Sequence, residues 1–295
     1  MLCLRGMNMM RRSVAATPRT ASSPLRRRGV TPLSQATPRF QPMFPNRSRM
    51  VGLCMAVLLG WLLGGCSTLG SPALAESVAS GYTRYAYAFV SFEADRLDAT
   101  DARTAQSLRQ RAARLYASAW QHARAALEAD QPGFMAALSQ PDPARWPSLR
   151  PDQVGLAYWG AAAWAGQISL SKDDPEVVAD LPLSIRLAER AYATAPEYGD
   201  GALASLMGTL EAARPGGSPT RALVFFDQAL QLGKGREAGA PLAKAEGWAQ
   251  PAGDKAAFAA LLDEVLAIST RHPSLANDAA RRRAQWLLDQ IDDLF

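Results

Sequence analysis

Histidine and cysteine are scarce in this 295-residue chain, which has two of the first and three of the second. His122 sits in an Arg- and Ala-rich stretch and His272 precedes Pro273 in a turn. Neither has a second ligating residue at helical spacing, and zinc sites need three or four ligands. The cysteines are Cys3, Cys54 and Cys66. No serine elbow is present. Gly233-Lys234-Gly235-Arg236 follows a helical pattern and lacks the upstream strand and the Ser or Thr of a phosphate-binding loop. The chain is therefore expected to be neither an enzyme nor a cofactor carrier.

Acidic residues are absent from Met1 to Gly65, where ten Arg and no Lys are found. The chain carries +5 overall, but ten of its 32 basic residues lie before Cys66, leaving 22 against 27 acids. From Cys66 onward the net charge is −5. Binding to nucleic acid is disfavoured, because Lys and Arg at phosphates supply most of that affinity.

A long apolar run is also missing. Met50 to Leu63 is shorter than the roughly 20 residues that span a bilayer. Arg47 and Arg49 precede it, and it ends in Leu63-Gly64-Gly65-Cys66. Small residues before a cysteine suit lipidation and cleavage, so the pattern reads as a lipoprotein signal with Cys66 as the acylated mature amino terminus. No disulfide then remains possible, and about 230 residues must fold by packing alone. Ser67, in place of an Asp, favours the periplasmic face of the outer membrane in a Gram-negative bacterium.

Residues 1–42 are basic and have no apolar period, so they are expected to be disordered. Two readings stay open for them: an upstream start wrongly assigned, with Met43 as the true one, or a long leader. Residues 43–65 form the signal, 66–80 a tether and 81–295 a helical repeat domain.

The mature chain is rich in Ala, Leu and Arg at helical spacing and is expected to be all-α. Helices are expected at 76–97, 102–129, 131–139, 151–170, 181–195, 201–213 and 219–232, with two or three more to Phe295. Ala188, Tyr192 and Ala195 recur 34 residues later as Ala222, Phe226 and Ala229. That is the tetratricopeptide period, and Ala112, Tyr116 and Ala119 show the same triplet. Alanine permits close helix approach while the aromatic fills the gap to the next hairpin. Partner helices carry a small residue after a bulky one at Gly160 and Gly208. The fold expected is a compact superhelix of tetratricopeptide-like hairpins.

Tyr158, Trp159 and Trp164 crowd one helix, and Tyr82, Tyr85 and Tyr87 another. They suit either an aromatic groove for a ligand or peptide or the core ridges of stacked hairpins. Lys172-Asp173-Asp174-Pro175-Glu176 to Asp180 stands where a repeat would have a tight turn. Asp173 and Asp174 thus belong either to a binding-face loop or to a plain solvated one.

Several segments resemble the T component of tripartite ATP-independent periplasmic (TRAP) transporters, the TatT family. They are Tyr85-Ala86-Tyr87-Ala88-Phe89-Val90, Gly155 through Trp164 with Ile168-Ser169-Leu170, Gly208 through Gly217, and the ending from Trp286 to Phe295. The resemblance implies a lipid-anchored periplasmic accessory protein of helical hairpins. It also implies binding to the solute-binding P component, a capacity to form a homotrimer with a central pore, and acceptance of an apolar ligand. The partner-side and ligand-side candidates are then Tyr85, Tyr158, Trp159, Trp164, Asp173 and Asp174. Family members usually carry a further helical pair before the Tyr-Ala-Tyr-Ala-Phe-Val segment. Only Ser67 to Ser80 precedes it here, so the first hairpin is expected to be missing. A scaffold lipoprotein for outer-membrane or cell-wall assembly is the rival expectation, sharing anchor and repeats.

Overall fold

Thirteen α-helices follow one another in the computed structural model, which describes residues 71–295. The leader, the lipoprotein signal and Cys66 lie outside the described residues. Helix α1 (Pro72–Tyr85) runs through a π-helical stretch, Ala86–Ser91, into α2 (Phe92–Leu97), and α3 (Ala102–Asp130) returns beside it. Short α4 (Phe134–Leu138) leads to α5 (Val154–Leu170), then α6 (Pro175–Ala179) and α7 (Leu181–Thr194). Helices α8 (Ala202–Ala213) and α9 (Pro219–Gly233) form the next pair. The chain ends with α10 (Gly239–Lys244), which continues as a π-helical Ala245–Ala249, and with α11 (Lys255–Arg271), α12 (Leu275–Asp289) and α13 (Ile291–Leu294). Among the described residues there is no strand, and the all-α hairpin superhelix expected from the sequence is the architecture observed.

Polar side chains set the helix starts by accepting otherwise unpaired N–H groups. Asp101, Ser218, Asp254 and Ser274 cap α3, α9, α11 and α12 in this way. Ser71 accepts Leu74 N–H at 3.2 Å, and Pro72 fits the first turn because it has no N–H to leave unpaired. Helix α1 therefore begins ahead of Glu76, within the stretch expected as tether. The helix expected at 131–139 shortens to α4. There Gly133, at φ 83°, breaks the chain, and the Glu128 carboxylate takes the N–H groups of Gly133 and Met135. The stretch around Asp173 and Asp174 is not all loop: Asp174 caps α6 by accepting from Glu176 and Val177.

Packing follows the repeat. Helix α3 packs against both α1 and α5, α5 against α7, and α8 against α9. Ala112, Tyr116 and Ala119 are buried, as are Ala222, Phe226 and Ala229. A Cβ on Gly208 would stand 2.8 Å from the Phe226 ring and one on Gly247 2.6 Å from it. Phe226 therefore fills the space left by two glycines, one on its own hairpin and one on the next. Gly201 needs its left-handed φ of 96°, and a Cβ there would meet the Ala229 carbonyl oxygen at 2.5 Å.

A buried charge joins the ends of the stack. Arg283 on α12 donates to Asp95 of α2 at 3.0 Å and to Glu246 at 2.8 Å. Its guanidinium also lies near the rings of Tyr87, Phe92 and Trp286.

Candidate functional site

Helix α5 is apolar on nearly every side, so it is enclosed by neighbours instead of facing solvent along one stripe. Tyr158 is buried on it and meets Trp159 edge-on, with ring centroids 4.8 Å apart. Tyr198, from the turn after α7, tilts against Tyr158 at 5.3 Å. Gly199, Asp200 and Gly201 all have positive φ, and this tight turn holds Tyr198 beside α5. The Tyr198 hydroxyl donates to Glu76 Oε1 of α1 at 3.1 Å. Gly155 leaves room for that carboxylate, since a Cβ there would come within 2.2 Å of Oε1. Arg84, also on α1, lies 4.6 Å over the half-buried Trp159 ring.

Burial pushes the Tyr158 hydroxyl up to about 12, with Arg84 pulling the other way. Burial also raises Tyr198, and the neighbouring Glu76 charge adds to that rise. Both phenols keep their protons at neutral pH. The cluster thus offers aromatic faces, a carboxylate acceptor, protonated hydroxyls and an exposed guanidinium at its edge. It can hold a mixed apolar and polar surface. A nucleophile with an adjacent base is not part of it.

The other candidates lie elsewhere. Trp164 is 3 % exposed and stacks on Trp120 of α3 at 4.0 Å and 13°, so it is core and does not line a groove. Tyr85 is on the outer side of α1, exposed, with Phe89 at 5.6 Å and Arg111 Nη2 donating to its hydroxyl at 3.4 Å. Asp173 is exposed, and the Asp174 carboxylate is engaged in its cap. Among the described residues no group of His, Cys, Asp and Glu could hold a metal. Glu76, Arg84 and Tyr198 were not foreseen. Glu76 and Tyr198 are 122 residues apart, a pairing that only tertiary structure reveals. The signal available was Tyr198 next to a Gly-Asp-Gly turn.

Comparison with protein families gives one decisive match: the model of the TRAP transporter T-component covers residues 70–295. The chain belongs to the TRAP transporter T-component family. The match takes in every helix of the described body, the aromatic cluster included. No curated protein matches the chain. As a T-component it is an accessory part of the TRAP transporter system, a family that is not an enzyme class, and this suggests a periplasmic location. Among the described residues no helix is long and apolar enough to cross a membrane.

Proposed function

We propose that this T-component binds the solute-binding P component of a TRAP transporter while anchored by acylated Cys66 to the periplasmic face of the outer membrane. The family match along the whole helical body carries the reading. The contact residues assigned are Trp159, Tyr198 and Arg84, where the aromatic cluster reaches the surface, with Tyr158 buried behind them. Support comes from their chemistry: an aromatic face edged by a guanidinium and a carboxylate suits both a protein partner and an apolar ligand passed between partners. Trp164 has no direct part, because it packs inside.

Capture of the mature protein from periplasmic extract should recover a TRAP solute-binding protein. Trp159→Ala with Arg84→Glu should weaken that recovery at least tenfold while the fold is kept. Recovery of envelope-assembly proteins alone would overturn the proposal and favour an assembly scaffold. The homotrimer implied by the family resemblance is part of the proposal: sedimentation of the purified protein should show a trimer, and a monomer at all concentrations would remove that part.

A further inference from the structure

The outer side of α1 carries an unusual stripe. Leu74, Tyr82, Tyr85 and Phe89 are between 39 and 46 % exposed. At about 100° per residue the four fall within an arc of about 80°, so they share one broad face about 22 Å long. Among the described residues the other large exposed hydrophobics, Val178, Val224, Leu275 and Phe295, are scattered over the rest of the chain. Isolated exposures of that kind need no explanation, whereas a contiguous aromatic stripe does. The π-helical turn at Ala86–Ser91 keeps Phe89 outside while Val90 and Phe92 turn inward.

Charge distinguishes this face from the rest of the protein. Residues 77–92 contain no acid, and their one base, Arg84, turns to the other side of α1 over Trp159. On the neighbouring α3, Arg103, Arg111 and Arg114 share one side, whereas Arg109 lies on the other and is paired with Asp98 at 2.8 Å. Arg111 reaches the Tyr85 ring, and His122 stacks on Tyr82. A basic, aromatic face thus stands on a mature chain that is net acidic. Pro72 is six residues from Cys66, a reach of about 20 Å at most. Amphipathic rings and arginines are the groups that settle among lipid headgroups, and arginine favours anionic ones.

We propose that the Leu74–Tyr82–Tyr85–Phe89 face of α1, with Arg111 and Arg114, lies on an anionic lipid surface and orients the protein on its membrane. The opposite side of α1, with Glu76 and Arg84, then stays available to a periplasmic partner. The proposal rests on acylation of Cys66. Because Cys66 is the only cysteine of the mature chain, Phe89→Cys and Val224→Cys each give a single free thiol for an environment-sensitive dye. The labelled, lipidated full protein is reconstituted in vesicles of phosphatidylethanolamine and phosphatidylglycerol carrying a lipid-tethered quencher. The dye at 89 should be quenched several-fold more than the dye at 224, and Arg111→Glu with Arg114→Glu should abolish the difference while flotation persists. Equal quenching at both positions in protein that floats overturns the proposal and leaves the anchor intact. Shielding at 89 that appears in lipid-free detergent and rises with protein concentration also overturns it, since a second copy would then cover the face. Protein that does not float, with Cys66 unmodified by mass, overturns the anchor and the proposal together.

Discussion

Trp159 and Trp164 stand five residues apart on one helix and live in different surroundings. Trp164 lies flat on Trp120 within the hydrophobic core, and Gly160 lets α3 come close, with a would-be Cβ only 3.0 Å from Ala123. Trp159 sits between a buried phenol and an exposed guanidinium, at the edge of a cluster that includes a carboxylate. One side of α5 is closed and apolar. The other is half-open and polar-edged, and only that side has groups a partner can read. Aromatic density alone therefore does not mark a binding surface; the charged neighbours do.

The sharpest break between the two sides is energetic. Trp164→Ala should cost about 3–5 kcal/mol, since a large ring leaves a cavity between α3 and α5; urea unfolding measures it. A loss below about 1 kcal/mol would mean that the stack contributes little and that the contrast fails.

Alkaline pH should separate the sides next. Tyr158 is held at about 12 and Tyr198 is likewise raised above the ordinary 10.0 of tyrosine. An acid with a raised folded-state value keeps its proton after the unfolded chain has lost it, so unfolding becomes more favourable as pH rises. The stability these two groups confer is complete below pH 10 and declines from about pH 10 upward. Unfolding midpoints followed against pH should show that decline, and Tyr158→Phe with Tyr198→Phe should remove most of it. The Trp120–Trp164 side has no ionisable group in its stack and should add no pH dependence.

Smaller effects refine the comparison. Tyr198→Phe should cost about 0.5–1.5 kcal/mol through the lost hydrogen bond to Glu76, with the ring contact to Tyr158 kept. Arg84→Ala should cost about 0.5–1 kcal/mol at most, the range of an exposed cation–ring contact, and should show more strongly in partner binding than in melting temperature. If Arg84→Ala lowers stability as much as Trp164→Ala does, the half-open side is structural after all.

Much of the architecture was legible beforehand, because caps and apolar period are local. Asp101, Ser218 and Asp254 cap the helices that follow, and the Ala-aromatic-Ala triplets locate the packing side of α3 and α9. Helix α1 began early because Ser71-Pro72 is itself a cap, and α6 was missed because one short turn leaves no period to read. Which way Trp159 and Trp164 face was not legible. A helix apolar all round carries no phase that distinguishes its sides. The partners that give the candidate site its polarity come from the first helix and from a turn after α7, joined by contacts that no local pattern encodes.

Arg283 has a consequence for how the chain folds and comes apart. A linear stack of hairpins can shed its terminal units one at a time, because each touches only its neighbours. Here α12 is bonded to Asp95, 188 residues away in the first hairpin. Peeling the last hairpin strips the buried Glu246 of its Arg283 partner, a penalty of about 3–5 kcal/mol, whereas peeling the first removes only Asp95 and leaves Arg283 paired with Glu246. Fraying at the C-terminal end is thereby opposed more strongly than at the first helix. The Arg283–Asp95 contact closes a very long loop, whose entropy must be overcome first, so it forms late in folding, after the hairpins it locks together.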